Sequence, residues 1–339
     1  MNDAIHTHAG LTPKELAIQA ITYSSPPRPA LFFRTDPDRS DIVQVAYHSP
    51  TNFVDAENTL DEWGCRWDNA IGTGTGYIVK HPLEDWSSYS TYILPDPRQA
   101  SRFIAIEEAI QRYPNKFVVA SLGLTGFGIL AALRGFENAL ADLYLNPELL
   151  SRLADQVFGF ETAAIDDIGR RGVDGIWFFD DWGMERSLFI RPDVWRSFFK
   201  PRYAAQFRRI HELGMRVFFH SCGCVWPIIP DLIEIGVDVL NLEQMQLFKD
   251  QSLSGYEHIV QQFAGQVCFT VNVDSQRTLT SGTPEEIERE VRHIFQTFGK
   301  LGGGFIVFAD AGKDHYIHPA ENLRLIEELC VSMTLHPGN

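Results

Sequence analysis

The feature that most constrains this chain is an alternation that sets in near residue 98, where short β-branched and aromatic runs are each followed by a helical stretch. Ala100 to Arg112 repeats apolar residues at helical spacing, Phe117 to Leu122 reads as a strand, and Gly126 to Arg134 and Ala139 to Tyr144 read as helical pieces. Asn146 is predicted to cap a helix running to Arg171. A strand at Gly175 to Phe179, a helix from Pro192 to Leu213 and a strand from Met215 to His220 come next. Trp226 to Ile235 is again helical and stops at Gly236, before a strand from Val237 to Leu242. Strands at Val267 to Val273 and Gly304 to Ala309 flank a helix that Thr283 opens as N-cap, with Pro284 at its first position and acids behind it. Strands separated by helices of this length pair in parallel. Five or six such units, together with Ile42 to Tyr47 and the near-continuous apolar strands, predict an α/β chain closed as a (β/α)8 TIM barrel rather than a doubly wound sheet.

Residues 1–40 read as an N-terminal helix, Pro13 to Ala20 capped by Thr12, and a Pro-rich lead-in from Pro26 to Pro37. Residues 41–335 read as a single barrel domain, with a hairpin-like excursion in 41–97 where Asp61 to Trp67 precedes Gly72, Gly74 and Gly76. Those glycines lack the strand-to-helix context of a dinucleotide fingerprint. His6 and His8 read as surface residues of a polar tail.

With 339 residues, 45% hydrophobic and 22% charged, the chain has enough apolar residues for a large core. A net charge of −15 and a pI near 5.1 argue against nucleic acid or an anionic membrane as partner, since both reward clustered Lys and Arg. Five cysteines, two of them one residue apart, do not make a disulfide framework, and the N-terminus has no basic stretch leading into an apolar one. No apolar run approaches the roughly 18–20 residues that span a bilayer. These features predict a cytoplasmic protein.

The strand ends carry the chemistry. Asp180 and Asp181 follow GIWFF, His220 and Cys222 follow MRVFF, Asn241 and Glu243 end the next strand, Asn272 and Asp274 the one after, and Asp310 follows FIVFA. A single Asp or Asn there is ordinarily a helix cap or loop residue. Five polar strand ends on one barrel rim are the pattern of an active site, and Asp180, Asp181, Asn241, Glu243 and Asn272 are its candidate catalytic residues. His220 and Cys222, side by side at a strand end, pair imidazole with thiolate, a set that selects zinc first. A reactive thiol without metal and a structural cluster are the alternatives. Cys65 and Cys330 read as ordinary residues, and Cys268, in mid-strand, as core.

These residues also carry a resemblance. FFHSCGCVWPIIPDLIEIGVDVLNLEQ resembles the H-S/T-C-G…L-x-x-x-G-x-D-x-L-N-x-x-Q signature of the uroporphyrinogen decarboxylase superfamily, in particular its cobalamin-dependent branch of methylcobamide:thiol type methyltransferases. FFDDWGMERSLFIRPDVWRSFFKPR, VNVDSQRTLTSGTPEEIEREV and HPAENLRLIEEL are similar to three further segments of that superfamily, so the likeness covers roughly residues 98–335. It implies the same barrel with its site at the C-terminal rim. In the methyltransferase branch the His and Cys of the motif and a later Cys bind zinc, which points to His220 and Cys222; FADAGKDHYIHPAEN puts Asp310 or Ala311 where the later Cys belongs. Asp310, Glu243 or His315, or less easily Cys224, would supply the further ligand. The true decarboxylases carry an arginine motif, R-Q-A-G-R-Y, where this chain has only Arg28, Arg34 and Arg39.

The resemblance implies zinc-dependent methyl transfer between a small-molecule methyl donor or acceptor and cobalamin. The chain has no D-x-H-x-x-G cobamide motif, so a partner corrinoid protein is the expected carrier. A cofactor-free decarboxylase of a carboxylated aromatic or pyrrole, with Asp180 or Asp181 as proton donor, is the alternative within the same fold. A non-catalytic binding barrel is the third.

Overall fold

The computed structural model describes residues 10–47, 59–68, 77–248, 254–310 and 318–335. Its strands, in chain order, are β1 (Ala30–Phe33), β2 (Ile42–Ala46), β3 (Arg66–Asp68), β4 (Tyr77–Lys80), β5 (Phe117–Leu124), β6 (Gly175–Phe179), β7 (Arg216–Ser221), β8 (Val239–Leu242), β9 (Cys268–Val271) and β10 (Phe305–Ala309). Eight of them form one parallel sheet in the order β1-β10-β9-β8-β7-β6-β5-β2, and β3 pairs with β4 as an antiparallel hairpin. The (β/α)8 barrel read from the alternation is therefore what the chain forms. The hairpin falls in the 41–97 excursion; Gly72, Gly74 and Gly76 lie outside the described residues, as do His6 and His8.

The barrel closes between β1 and β2, and the bonds across that seam come largely from side chains. Asp41 N–H donates to the Leu31 carbonyl at 2.8 Å, and the Asp41 carboxylate accepts from Leu31 N–H at 2.8 Å. Ser40 Oγ accepts from Phe33 N–H at 2.7 Å. The Arg28 guanidinium grips both oxygens of Asp41 at 2.6 and 2.8 Å, with both side chains 1% exposed. Ala30–Phe33 thus corrects the lead-in reading of residues 1–40: it is a strand of the barrel, and only four residues long between Pro29 and the Asp36-Pro37 turn, too short to stand out from its Pro-rich flanks.

Alternate residues of the strands point inward, and Phe32, Phe117, Trp177, Phe218, Val239, Cys268, Ile306 and Phe308 fill the interior. The helix Pro13–Ile21, held by a capping box between Thr12 and Glu15, adds Leu16, Ala17, Ala20 and Ile21 to that interior cluster. It is tied to the residues just before the strands: Lys14 N–H donates to Asn115 O, Gly304 N–H to Ala20 O, and Tyr23 O–H to Val267 O. The N-terminal mouth of the barrel is therefore plugged by this helix. The outward-facing residues pack under the surrounding helices in a second, larger cluster.

Local differences from the sequence reading have local causes. The stretch from Pro192 to Leu213 is two helices, Pro192–Phe198 and Lys200–Glu212, because Pro201 has no N–H to donate to a carbonyl one turn back. Asn146 occupies the N-cap position of Pro147–Gly169 but makes no side-chain cap; its amide donates to Asp142 instead, at 2.7 Å. Thr283 caps Pro284–Phe298 as expected, with Glu286 completing a capping box.

Removing one member of a buried ion pair strands the other. Asp41→Ala is expected to lower the unfolding free energy by about 3–5 kcal/mol in urea melts, and a loss below about 1 kcal/mol would show that the seam does not depend on the pair.

Candidate active site at the C-terminal rim

The strand period of two decides which polar residues reach the site. Trp177, Phe218, Val239, Cys268 and Ile306 face the interior. Two positions on, the same faces carry Phe179, His220, Asn241, Thr270 and Phe308; two more bring Asp181, Cys222, Glu243, Asn272 and Asp310 to the rim. The contacts follow this order. His220 Nδ1 lies 2.5 Å from Asn241 Oδ1, and Asn241 Nδ2 donates to the buried Thr270 Oγ1 at 2.5 Å. With Nδ1 engaged by an acceptor, Nε2 is the nitrogen left for chemistry. It faces Cys222 Sγ at 3.4 Å and Asp181 Oδ1 at 3.4 Å, and Asp181 Oδ1 also accepts from Cys222 N–H at 2.8 Å.

Among the described residues, Asp181, His220 and Cys222 are the one group of three metal-competent side chains whose donor atoms all lie within 4.8 Å of one another. Burial by itself lowers the His220 pKa; the Cys222 sulfur, through its charge and hydrogen bond, and then the Asp181 and Glu243 carboxylates outweigh it and raise it to about 10. The sulfur and the carboxylates around the ring thus favour positive charge at Nε2.

Among the described residues, the other expected ligands are not grouped with this trio. Asp310 is ion-paired with Arg34, which extends the inward face of β1. Asn272 Nδ2 donates to Glu243 Oε1 at 3.4 Å. Cys224 lines a separate surface cavity of about 490 Å3 with Tyr144, Arg186 and Leu188. His315 lies outside the described residues. The third donor grouped with His220 and Cys222 is Asp181, read from the sequence as catalytic. His318, buried near Glu243 and Asp310, and Thr270 were not singled out by sequence reasoning; an inward-facing polar residue in a strand was the available signal for Thr270.

Asp180 is not at the rim. It follows the outward-facing Ile176 and Phe178, is fully buried, and accepts from Phe127 N–H at 3.0 Å, Gly128 N–H at 2.8 Å and Tyr203 O–H. It anchors the N-terminus of the helix Gly126–Arg134, and the parity of Trp177 and Phe179 already excluded it from the barrel mouth. Burial drives its carboxyl well above the usual range, against those two backbone bonds.

Beside it, burial pushes Glu161 up to about 7, opposed by bonds from Gln206 and Gly126 N–H. A carboxyl raised on folding contributes stability that is fully present below about 4.5 and lost as pH rises through about 7. Urea midpoints measured from pH 4.5 to 8 are expected to fall more steeply in wild type than in Glu161→Gln; parallel profiles would exclude Glu161 as the source.

The comparisons with known proteins agree with this architecture. The family model "Uroporphyrinogen decarboxylase (URO-D)" matches residues 53–330. Uroporphyrinogen decarboxylases of Mannheimia succiniciproducens and Shewanella halifaxensis are each 22% identical, over 69% and 73% of this chain, and the aligned parts span 65% and 69% of those proteins. The solved structure of a methyltransferase from Methanosarcina mazei superposes with a TM-score of 0.69 at 15% identity, covering 95% of this chain and 99% of that one. With the match running through more than half of its length, from just past β2 to the final helix, the chain belongs to the uroporphyrinogen decarboxylase family.

Proposed function

We propose that the protein is a methyltransferase of this family, moving a methyl group between a small molecule and the cobalt of a corrinoid carried on a separate protein, with zinc at the rim. The observation that carries this reading is the convergence of Asp181, His220 and Cys222, one nitrogen, one sulfur and one oxygen donor, from the ends of β6 and β7. The donor chemistry fits zinc, and three protein ligands leave a fourth position for a substrate atom, as catalytic zinc requires. When bound there, zinc acts as a Lewis acid on a thiol, ether or amine. Asn241 holds the His220 ring with Nε2 toward the mouth, and Asp181 fixes the Cys222 backbone while offering its carboxylate. The fold shared with the Methanosarcina mazei methyltransferase is consistent with this chemistry, and the curated relatives favour a second reading, a cofactor-free decarboxylase. In that case Asp181, half-exposed at the rim, is the proton donor, since Asp180 is sealed beneath the helix.

Purified protein is expected to hold close to one equivalent of zinc by elemental analysis. Cys222→Ala should lose most of it, Asp181→Asn should bind it about 10 to 100 fold more weakly, and Cys224→Ala should change little. Full retention by Cys222→Ala would overturn the metal assignment. Methyl transfer to free cob(I)alamin, followed by its visible spectrum and abolished by zinc removal, supports the methyltransferase. CO2 release from a carboxylated substrate without zinc or corrinoid supports the decarboxylase instead, and a protein active in neither assay but retaining a ligand is a binding barrel.

A further inference from the structure

The loops after β6 and β7 touch backbone to backbone beside the cluster. A Cβ placed on Gly223 would lie 2.2 Å from the Gly183 carbonyl oxygen, and one on Gly183 would lie 2.4 Å from Cys224 N. Gly223 also has a φ of +76°, so it alone of the three residues Cys222-Gly223-Cys224 takes a left-handed turn. The crossing leaves the Cys222 segment held along one flank by the β6 loop. Gly183 N–H donates to Cys222 O at 3.1 Å, Cys224 N–H donates to Met184 O at 2.7 Å, and Cys222 N–H donates to Asp181 at 2.8 Å. The middle amide points the other way: Gly223 N–H donates to Gln244 Oε1 at 2.6 Å, from the loop that follows β8.

We infer that Gln244 is a positioning residue for the Cys222 thiol, clamping the β7 loop from the β8 side so that Sγ stays against His220 Nε2. The inference rests on the reading of Cys222 as a ligand or working thiol. A backbone N–H can only donate, so the contact needs an acceptor at the Gln244 terminus, and Glu can supply one where Met cannot. Cys222 carries its sulfur one residue before the left-handed turn. A change of backbone torsion at Gly223 that relaxed the turn would swing the chain on which Sγ and His220 Nε2 now stand 3.4 Å apart. Residues that orient metal ligands from behind are worth about 10 to 100 fold in affinity.

The test uses the full chain as wild type, Gln244→Met, Gln244→Asn and Gln244→Glu, each loaded with Co2+ in place of zinc. Cobalt affinity is measured by chelator competition, the thiolate-to-cobalt absorption band is recorded, and thermal unfolding is followed in parallel. Gln244→Met, and Gln244→Asn, whose shorter side chain does not reach, are expected to bind Co2+ about 10 to 100 fold more weakly with a diminished thiolate band. Gln244→Glu is expected to stay within about threefold of wild type. An unchanged affinity and band in both Gln244→Met and Gln244→Asn overturns the inference, as does a loss in Gln244→Glu equal to theirs. If the wild type takes up no cobalt, it is the metal reading that falls. The clamp is then read from the rate at which iodoacetamide alkylates Cys222 at a single pH in the same four proteins, located by mass spectrometry. A severalfold change in Gln244→Met that Gln244→Glu restores upholds it, and equal rates in all four refute it.

Discussion

A parallel barrel closes only if the two strands at the ends of its sheet meet, and here β1 and β2 meet across a seam that holds a buried ion pair. Arg28 and Asp41 lie at the start of β1 and just before β2, and the Asp41 carboxylate serves the guanidinium and the Leu31 amide together. The Asp41 carboxylate accepts from both terminal nitrogens of Arg28 and from the Leu31 amide, bonds that offset the cost of removing two charges from water. Its effect is geometric. With β1 held beside β2 on one side and paired with β10 on the other, where Phe33 stands opposite Ala309 and Arg34 next to Asp310, the eight strands form one ring.

The two carboxylates after β6 show how environment divides chemically identical groups. Asp180 faces out of the barrel, under a helix N-terminus, where two amides and the Tyr203 hydroxyl occupy it. Asp181 faces in, half-exposed, beside an imidazole and a thiol. One residue of shift along a strand separates a structural anchor from a candidate ligand. The imidazole in turn is flanked by sulfur and carboxylates on one side and by the Asn241–Thr270 chain on the other, so its ring has one orientation, with Nε2 toward Cys222 and Asp181.

Much of this was legible in the sequence. The alternation of strand and helix after residue 98 named the barrel, because parallel strands buried on both faces leave long apolar runs, and the His-x-Cys spacing at the end of β7 pointed to two of the three side chains grouped in the candidate site. Strand β1 was hidden because four apolar residues between prolines carry no period. The third donor was hidden for a different reason. Which side chain completes the cluster depends on how the β6 and β7 loops cross at Gly183 and Gly223, a distance between backbones that composition does not encode. Asp180 is the instructive error, since the alternation that identified β6 as a strand also gives the face of each of its residues.

The helix Pro13–Ile21 covers the N-terminal end of a barrel whose interior Phe32, Trp177, Phe218 and Phe308 already fill, so anything exchanged at the rim comes and goes on the C-terminal side. For a reaction with one reactant small and the other mounted on a protein, a single opening imposes sequence: a macromolecular carrier seated over the mouth covers the way in. In the methyltransferase proposed above, the small molecule then enters before the carrier docks and leaves after it departs, because both use the same side of the barrel.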